Sequence, residues 1–141
     1  MARSFDGWTH PGITLDRRTL GLYLGDLIII VAIMAIGLLS HDVDPVASFD
    51  HTIQTSLPFV IGWTIVAPLA GVYAERVRDS FRVAIGGTIL AWVGASLVGG
   101  AIRATTYFHG GAPAVFIFVT IGTGLLVLLP WRLLAVFLFN R

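Results

Sequence analysis

The chain contains no cysteine, which excludes disulfides, thiol nucleophiles and cysteine metal sites. Lysine is absent too, so all nine basic residues are arginine. Charge of either sign is scarce: 12% of the 141 residues are charged, against about 25% in a soluble domain. The net charge is +1, which gives no general attraction for nucleic acid. No phosphate-binding loop, dinucleotide fingerprint, nucleophile elbow or zincin motif occurs. No catalytic residue, cofactor or metal site is therefore expected, and the chain does not read as an enzyme. Apolar residues, by contrast, make up 56% of the sequence. So few charges could not cover a water-soluble globule of this size; a lipid solvent removes the problem.

The apolar residues fall into four long runs, at about 20–40, 53–73, 83–102 and 114–139. Each is close to the ~20 residues a helix needs to cross ~30 Å of hydrocarbon. The runs are continuous rather than alternating, which favours helix over strand. In lipid, each backbone N–H must also find its acceptor within its own segment. The first run exceeds the ~7–15 apolar residues of a signal peptide, and no small-residue cleavage site closes it, so it reads as a retained helix. The expected fold is a single transmembrane domain: an all-α, integral membrane four-helix bundle.

Arginine placement sets the expected orientation, because arginine accumulates on the cytoplasmic side. Arg3, Arg17 and Arg18 precede the first run, and Arg76, Arg78 and Arg82 lie between the second and third. The loop after the first run holds His41, Asp42, Asp44, Asp50 and His51 and no arginine; the loop after the third holds only Arg103. Both termini are expected in the cytoplasm of a multi-pass cell-membrane protein, with the acidic loop outside.

Helices in lipid associate through close contact of small residues. Gly21 and Gly25 stand four apart in the first run, and Ala67 and Gly71 in the second. The third run is richest in small residues (Gly86, Gly87, Ala91, Gly94, Ala95, Ser96, Gly99 and Gly100) and is expected to be the most central. If the second helix begins near Ser56, Pro58 falls in its first turn, where its missing N–H costs little. Pro68 and Pro130 are expected as mid-membrane kinks that free the carbonyls of Thr64 and Leu126. Trp131 fits an interfacial aromatic belt, whereas Trp63 and Trp92 sit deeper and need packing partners.

Two polar groupings are candidates for function. Asp26 lies about a third of the way into the first run, where an unpaired charge would cost at least ~2.5–3.5 kcal/mol at the bilayer centre. Arg132 lies at a similar depth in the fourth run, and an Asp26–Arg132 intramembrane pair is the leading expectation. The alternative places Asp26 at the interface, with Arg132 reaching lipid phosphate. On the opposite face, His41, Asp42, Arg103 and His109 form a candidate polar cluster, although their spacing matches no zinc motif.

These residues resemble a known family, the domain-of-unknown-function 3054 family of small membrane proteins from archaea and actinobacteria. The resemblance covers most of the chain after residue 20. It rests on Asp26, Ser40-His41, Pro58-Phe59-Val60-Ile61-Gly62-Trp63, Ala91-Trp92, Arg103 and Trp131-Arg132. Where the family pattern reads Gly-Arg-x-Ser-His, this chain has Gly37-Leu38-Leu39-Ser40-His41, with leucine in place of arginine. The resemblance implies a four-helix membrane protein without an assigned activity. It further implies that Asp26, His41, Trp63, Arg103 and Arg132 belong to one polar system. The residues favour a small transporter or permeation-pathway protein, acting as an oligomer. A structural or accessory subunit of a larger membrane complex is the alternative. The lipid bilayer is the expected partner in either case.

Overall fold

A computed structural model of the chain describes residues 16–74, 77, 80–108 and 110–141. The described residues form four helices and no strand: α1 (Arg17–Leu39), α2 (Phe49–Leu69), α3 (Phe81–Arg103) and α4 (Ala114–Phe139). All four are long and apolar enough to cross a membrane. They run up-down-up-down. α1 contacts α2, α2 contacts α3, α3 contacts α4 and α4 returns to α1, while the diagonal pairs stay apart. The result is a four-cornered bundle whose sequential neighbours are adjacent.

Local chemistry fixes the helix ends. Asp16 is the N-cap of α1 and accepts from the Thr19 N–H at 2.8 Å, so this helix starts at Arg17. Ser80 caps α3 in the same way, accepting from the Val83 N–H at 3.4 Å. In the α1–α2 loop the Asp44 carboxylate accepts from the N–H groups of Val46 and Ala47, at 2.8 and 3.1 Å. That turn starts α2 at Phe49, four residues earlier than the 53–73 expected from the apolar run.

α2 also ends four residues early, and Gly71 is the reason. It adopts φ 73°, in the left-handed region. Its N–H donates to the Pro68 carbonyl at 3.0 Å, and the Val72 N–H donates to the Ala67 carbonyl at 3.1 Å. These two bonds close a Schellman motif, in which glycine past the helix end satisfies the last carbonyls. The expectations for three residues are thereby corrected. Gly71 terminates the helix rather than packing within it. Pro68 lies in the last turn of α2, not at mid-helix, and Pro58 lies well inside the helix, not in its first turn. After Gly71 the chain stays apolar and turns back into the core, burying Val72, Tyr73 and Ala74.

The tightest seam joins α2 to α3. A Cβ on Gly62 would lie 2.5 Å from the Ala95 carbonyl oxygen, and one on Gly99 would lie 2.8 Å from the Phe59 ring. The backbones thus approach as small residues allow in membrane bundles. Gly21 and Gly122, by contrast, have open space around them. Phe59, Trp63 and Trp92 are fully buried along this seam, with the two indoles 6.2 Å apart. The Trp92 indole N–H donates to the carbonyls of Thr120 and Ile121 at 3.2 Å each, tying α3 to α4. Gly124 leaves the room that this indole occupies. The outer faces are apolar, with Ile28, Leu69, Leu90, Phe118 and Leu126 all exposed.

Candidate functional site

Asp26 is the tenth residue of α1, so about 14 Å of helix lie between it and the helix start. It belongs to the buried stripe of α1 that includes Thr19, Leu22, Ile30 and Ile33. On α4 the buried positions recur every four residues: Thr120, Gly124, Leu128 and Arg132. The two stripes face each other across the core, and α1 meets α4 at the depth of Asp26.

There the structure joins Asp26 to Arg132. The Arg132 Nη2–H donates to Asp26 Oδ2 at 2.5 Å, and both side chains are buried. The Tyr73 hydroxyl donates to the same oxygen at 2.5 Å. The Trp131 indole N–H donates to Asp26 Oδ1 at 2.9 Å. Trp63 completes a relay by donating to the Tyr73 oxygen at 2.8 Å. The carboxylate thus has three donors, one of them charged, drawn from α4 and the α2–α3 turn. Burial and the adjacent Asp26 carboxylate push the Tyr73 phenol up, so it stays protonated and donates.

The guanidinium is also held by π-faces. Arg132 Cζ lies 5.1 Å from the Tyr73 ring centre and 5.6 Å from that of Trp63, within cation–π range. Its Nη1–H reaches the Val72 carbonyl at 3.5 Å. Its Nε–H is buried without a hydrogen-bond partner. A cavity of about 10 Å³ borders the Arg132 side chain, lined by Thr19, Leu22, Val72, Tyr73, Arg132 and Ala135 among others. It lies toward the end of the bundle where α1 begins and α4 finishes. A shallower apolar groove of about 260 Å³, lined by Val31, Phe49, Ser56 and Val60 among others, lies toward the other end of the bundle.

Several site residues take roles that the sequence reading did not give them. Trp131 was expected in an interfacial belt, yet its indole is half-buried and bonded to Asp26. Gly25 makes this possible, since a Cβ there would strike the Trp131 ring. In the sequence the signal for Tyr73 is only the helix-stopping Gly71 two residues before it. Tyr23 meets Tyr73 edge-on at 6.0 Å and bonds Thr64 at 2.8 Å. The Thr64 hydroxyl gives its own proton to the Val60 carbonyl, so Tyr23 is the donor.

The cluster expected on the opposite face does not assemble among the described residues. His109 lies outside them. His41 and Asp42 are exposed, and Asp42, at φ 60°, forms the left-handed turn that closes α1. Arg103 is buried at another corner of the bundle. Its Nε–H donates to the Gly111 carbonyl at 2.8 Å, and its guanidinium covers the Phe116 ring at 4.8 Å. The single polar system implied by the family resemblance is therefore corrected. Asp26, Trp63 and Arg132 form one unit, while His41 and Arg103 serve separate loop ends. No group of three or more metal-ligating side chains is found among the described residues. Pro130 lies inside α4 with an exposed ring, two residues before Arg132.

The geometry thus defines a class: a multi-pass, four-helix membrane protein with a buried Asp–Arg ion pair in its core. Residues 23–135 match the family described as protein of unknown function (DUF3054), and the chain belongs to that family. The matched stretch includes Asp26, Trp63, Tyr73, Trp131 and Arg132. Comparison with curated proteins and with solved structures gives no match.

Proposed function

We propose that this protein is a small, oligomeric transport or permeation protein of the cell membrane, with the Asp26–Arg132 pair as its coupling element. The observation that carries the reading is an Asp–Arg pair buried in the core of a bundle whose outer faces are apolar. Ionisable groups at membrane depth are costly, and where they occur they mark ion routes and proton relays. Protonation of Asp26 would remove the charge that holds Arg132, which makes the pair a two-state element of the kind transport requires. The broad apolar outer face of α4 offers a surface for self-association. No enzymatic reaction and no nucleic-acid partner is proposed.

The proposed orientation places both termini in the cytoplasm. Exposed Arg17, Arg18, Arg82 and Arg141 gather at one end of the bundle, and exposed Asp42, Asp44 and Asp50 at the other. Arginine enrichment at cytoplasmic ends supports this assignment. A structural subunit of a larger complex is the second reading, favoured by the small size of the cavity beside the pair.

Proton flux into proteoliposomes separates the two. With a pH-reporting dye inside and acid outside, the protein should acidify the lumen faster than empty vesicles do. Asp26→Asn should reduce that rate at least tenfold while the oligomer keeps its mass. Flux no faster than in empty vesicles, with a co-purifying partner lost on substitution, would replace the transport reading with the subunit reading.

A further inference from the structure

The guanidinium of Arg132 is underused. Of its five N–H donors, one meets Asp26, one reaches a distant carbonyl, and the buried Nε–H has no partner. The cavity beside it, about 10 Å³, is at the size where a single water-sized species begins to fit. Its wall carries the Arg132 charge, the Tyr73 and Thr19 side chains and otherwise apolar groups. While Asp26 is ionised, the pair is neutral and a second anion would be repelled. Once Asp26 takes a proton, the guanidinium is an uncompensated cation in an apolar core, a costly state. A small anion entering the cavity would restore neutrality.

From this we infer that the cavity beside Arg132 is a binding site for a water-sized monovalent anion, taken up together with a proton on Asp26. The inference rests on the transport reading and gives it a substrate class, a proton paired with a small anion. Of the charged and titratable groups among the described residues, Arg132 and Tyr73 line the cavity, Asp26 stands behind them and accepts from both, and at the mouth Asp16 accepts from the Thr19 N–H while Arg18 lies over the Phe139 ring. Trp63 and Trp131 give their N–H groups to Tyr73 and Asp26, not to the cavity. Entry is from the end of the bundle where α1 starts, because the cavity lies between Thr19 and Phe139. Toward the other end, the rings of Trp63, Trp92, Phe59 and Phe116, in tilted contact with one another, fill the core.

Sodium fluoride is the probe, since fluoride is close to water in size. Tryptophan emission of the detergent-purified full chain reports on the site, because Trp63 and Trp131 belong to the network. The response should saturate at pH 5.5 and require at least tenfold more fluoride at pH 8. In Asp26→Asn the site should be permanently vacated of negative charge. Binding should then be tight at both pH values, and fluoride should raise the melting temperature more than it does for the unaltered chain. Arg132→Gln should show no saturable response. The unaltered chain's pH comparison needs no variant, so misfolding of either substitution leaves the test intact. No saturable response at pH 5.5, or equal affinity at both pH values in the unaltered chain, overturns the site. Asp26-dependent proton flux that fluoride leaves unchanged also overturns it, while the transport reading survives.

Discussion

At the scale of residues, the protein is organised around one carboxylate. Asp26 stands out in the sequence as the lone acid inside an apolar run, and Arg132 as the lone base at comparable depth. Depth and sign suffice to suggest that they meet. Tyr73 and Trp131 are not legible in the same way, since an aromatic residue near a helix end has several common roles. The structure shows them supplying half of the donors to the network. The energetics follow from burial. Removing one partner of a buried ion pair costs about 3–5 kcal/mol, because the remaining charge is left uncompensated. Arg132→Gln is expected to lose that amount in denaturant unfolding in detergent. Tyr73→Phe, which deletes one donor, should lose about 1–3 kcal/mol. The double variant Asp26→Asn/Arg132→Gln should be less destabilised than the sum of the singles, since no bare charge remains. Strictly additive losses would mean that the two groups do not interact.

At the scale of elements, capping and small residues decide where helices end and how closely they approach. Apolar runs were legible in the sequence, but their boundaries were not. The run at 53–73 carries no charge, yet α2 occupies Phe49–Leu69, because Asp44 organises its entry and Gly71 its exit. Hydropathy is blind to both devices. Gly62 and Gly21 look alike in the sequence and differ in the structure: one faces a backbone, the other open space. Gly62→Val should therefore disrupt the α2–α3 seam, at ~1–3 kcal/mol or more from overpacking. Gly21→Ala and Gly122→Ala should be neutral within about 0.5 kcal/mol by thermal unfolding.

The α1–α2 loop carries a pH dependence of known sign. Hydrogen bonds from the Ala47 and Val46 N–H groups hold the Asp44 carboxyl below its usual range. A carboxyl depressed on folding stabilises the turn above its unfolded pKa of about 3.9. That contribution disappears as pH falls through the lower, folded value. An NMR titration should place Asp44 below an unfolded reference peptide, and Asp44→Asn should remove the turn's acid sensitivity. A midpoint at or above the reference would mean that the capping turn does not form.

At the scale of the whole molecule, the bundle is apolar along its sides and polar at its ends, with opposite charge at the two ends. Fold class was legible because run length against bilayer thickness is a physical test that four segments pass independently. The polar cluster expected around His41 and Arg103 was not, because sequence cannot say that α1 and α3 stand at diagonal corners. Residues at the same end of a bundle need not be neighbours. The central claim is that four helices cross the bilayer with the arginine-rich end in the cytoplasm. The absence of native cysteine makes a direct measurement possible. Single cysteines at Val46 and Tyr107, which are 83% and 86% exposed at the acidic end, would be challenged in intact cells with a membrane-impermeant maleimide. Cysteines at Arg82 and Asn140, exposed at the other end, would be challenged alongside them. Val46→Cys and Tyr107→Cys should label at once, and Arg82→Cys and Asn140→Cys only after the membrane is opened. The reverse pattern would contradict the orientation, and equal labelling at both ends would contradict the four crossings themselves.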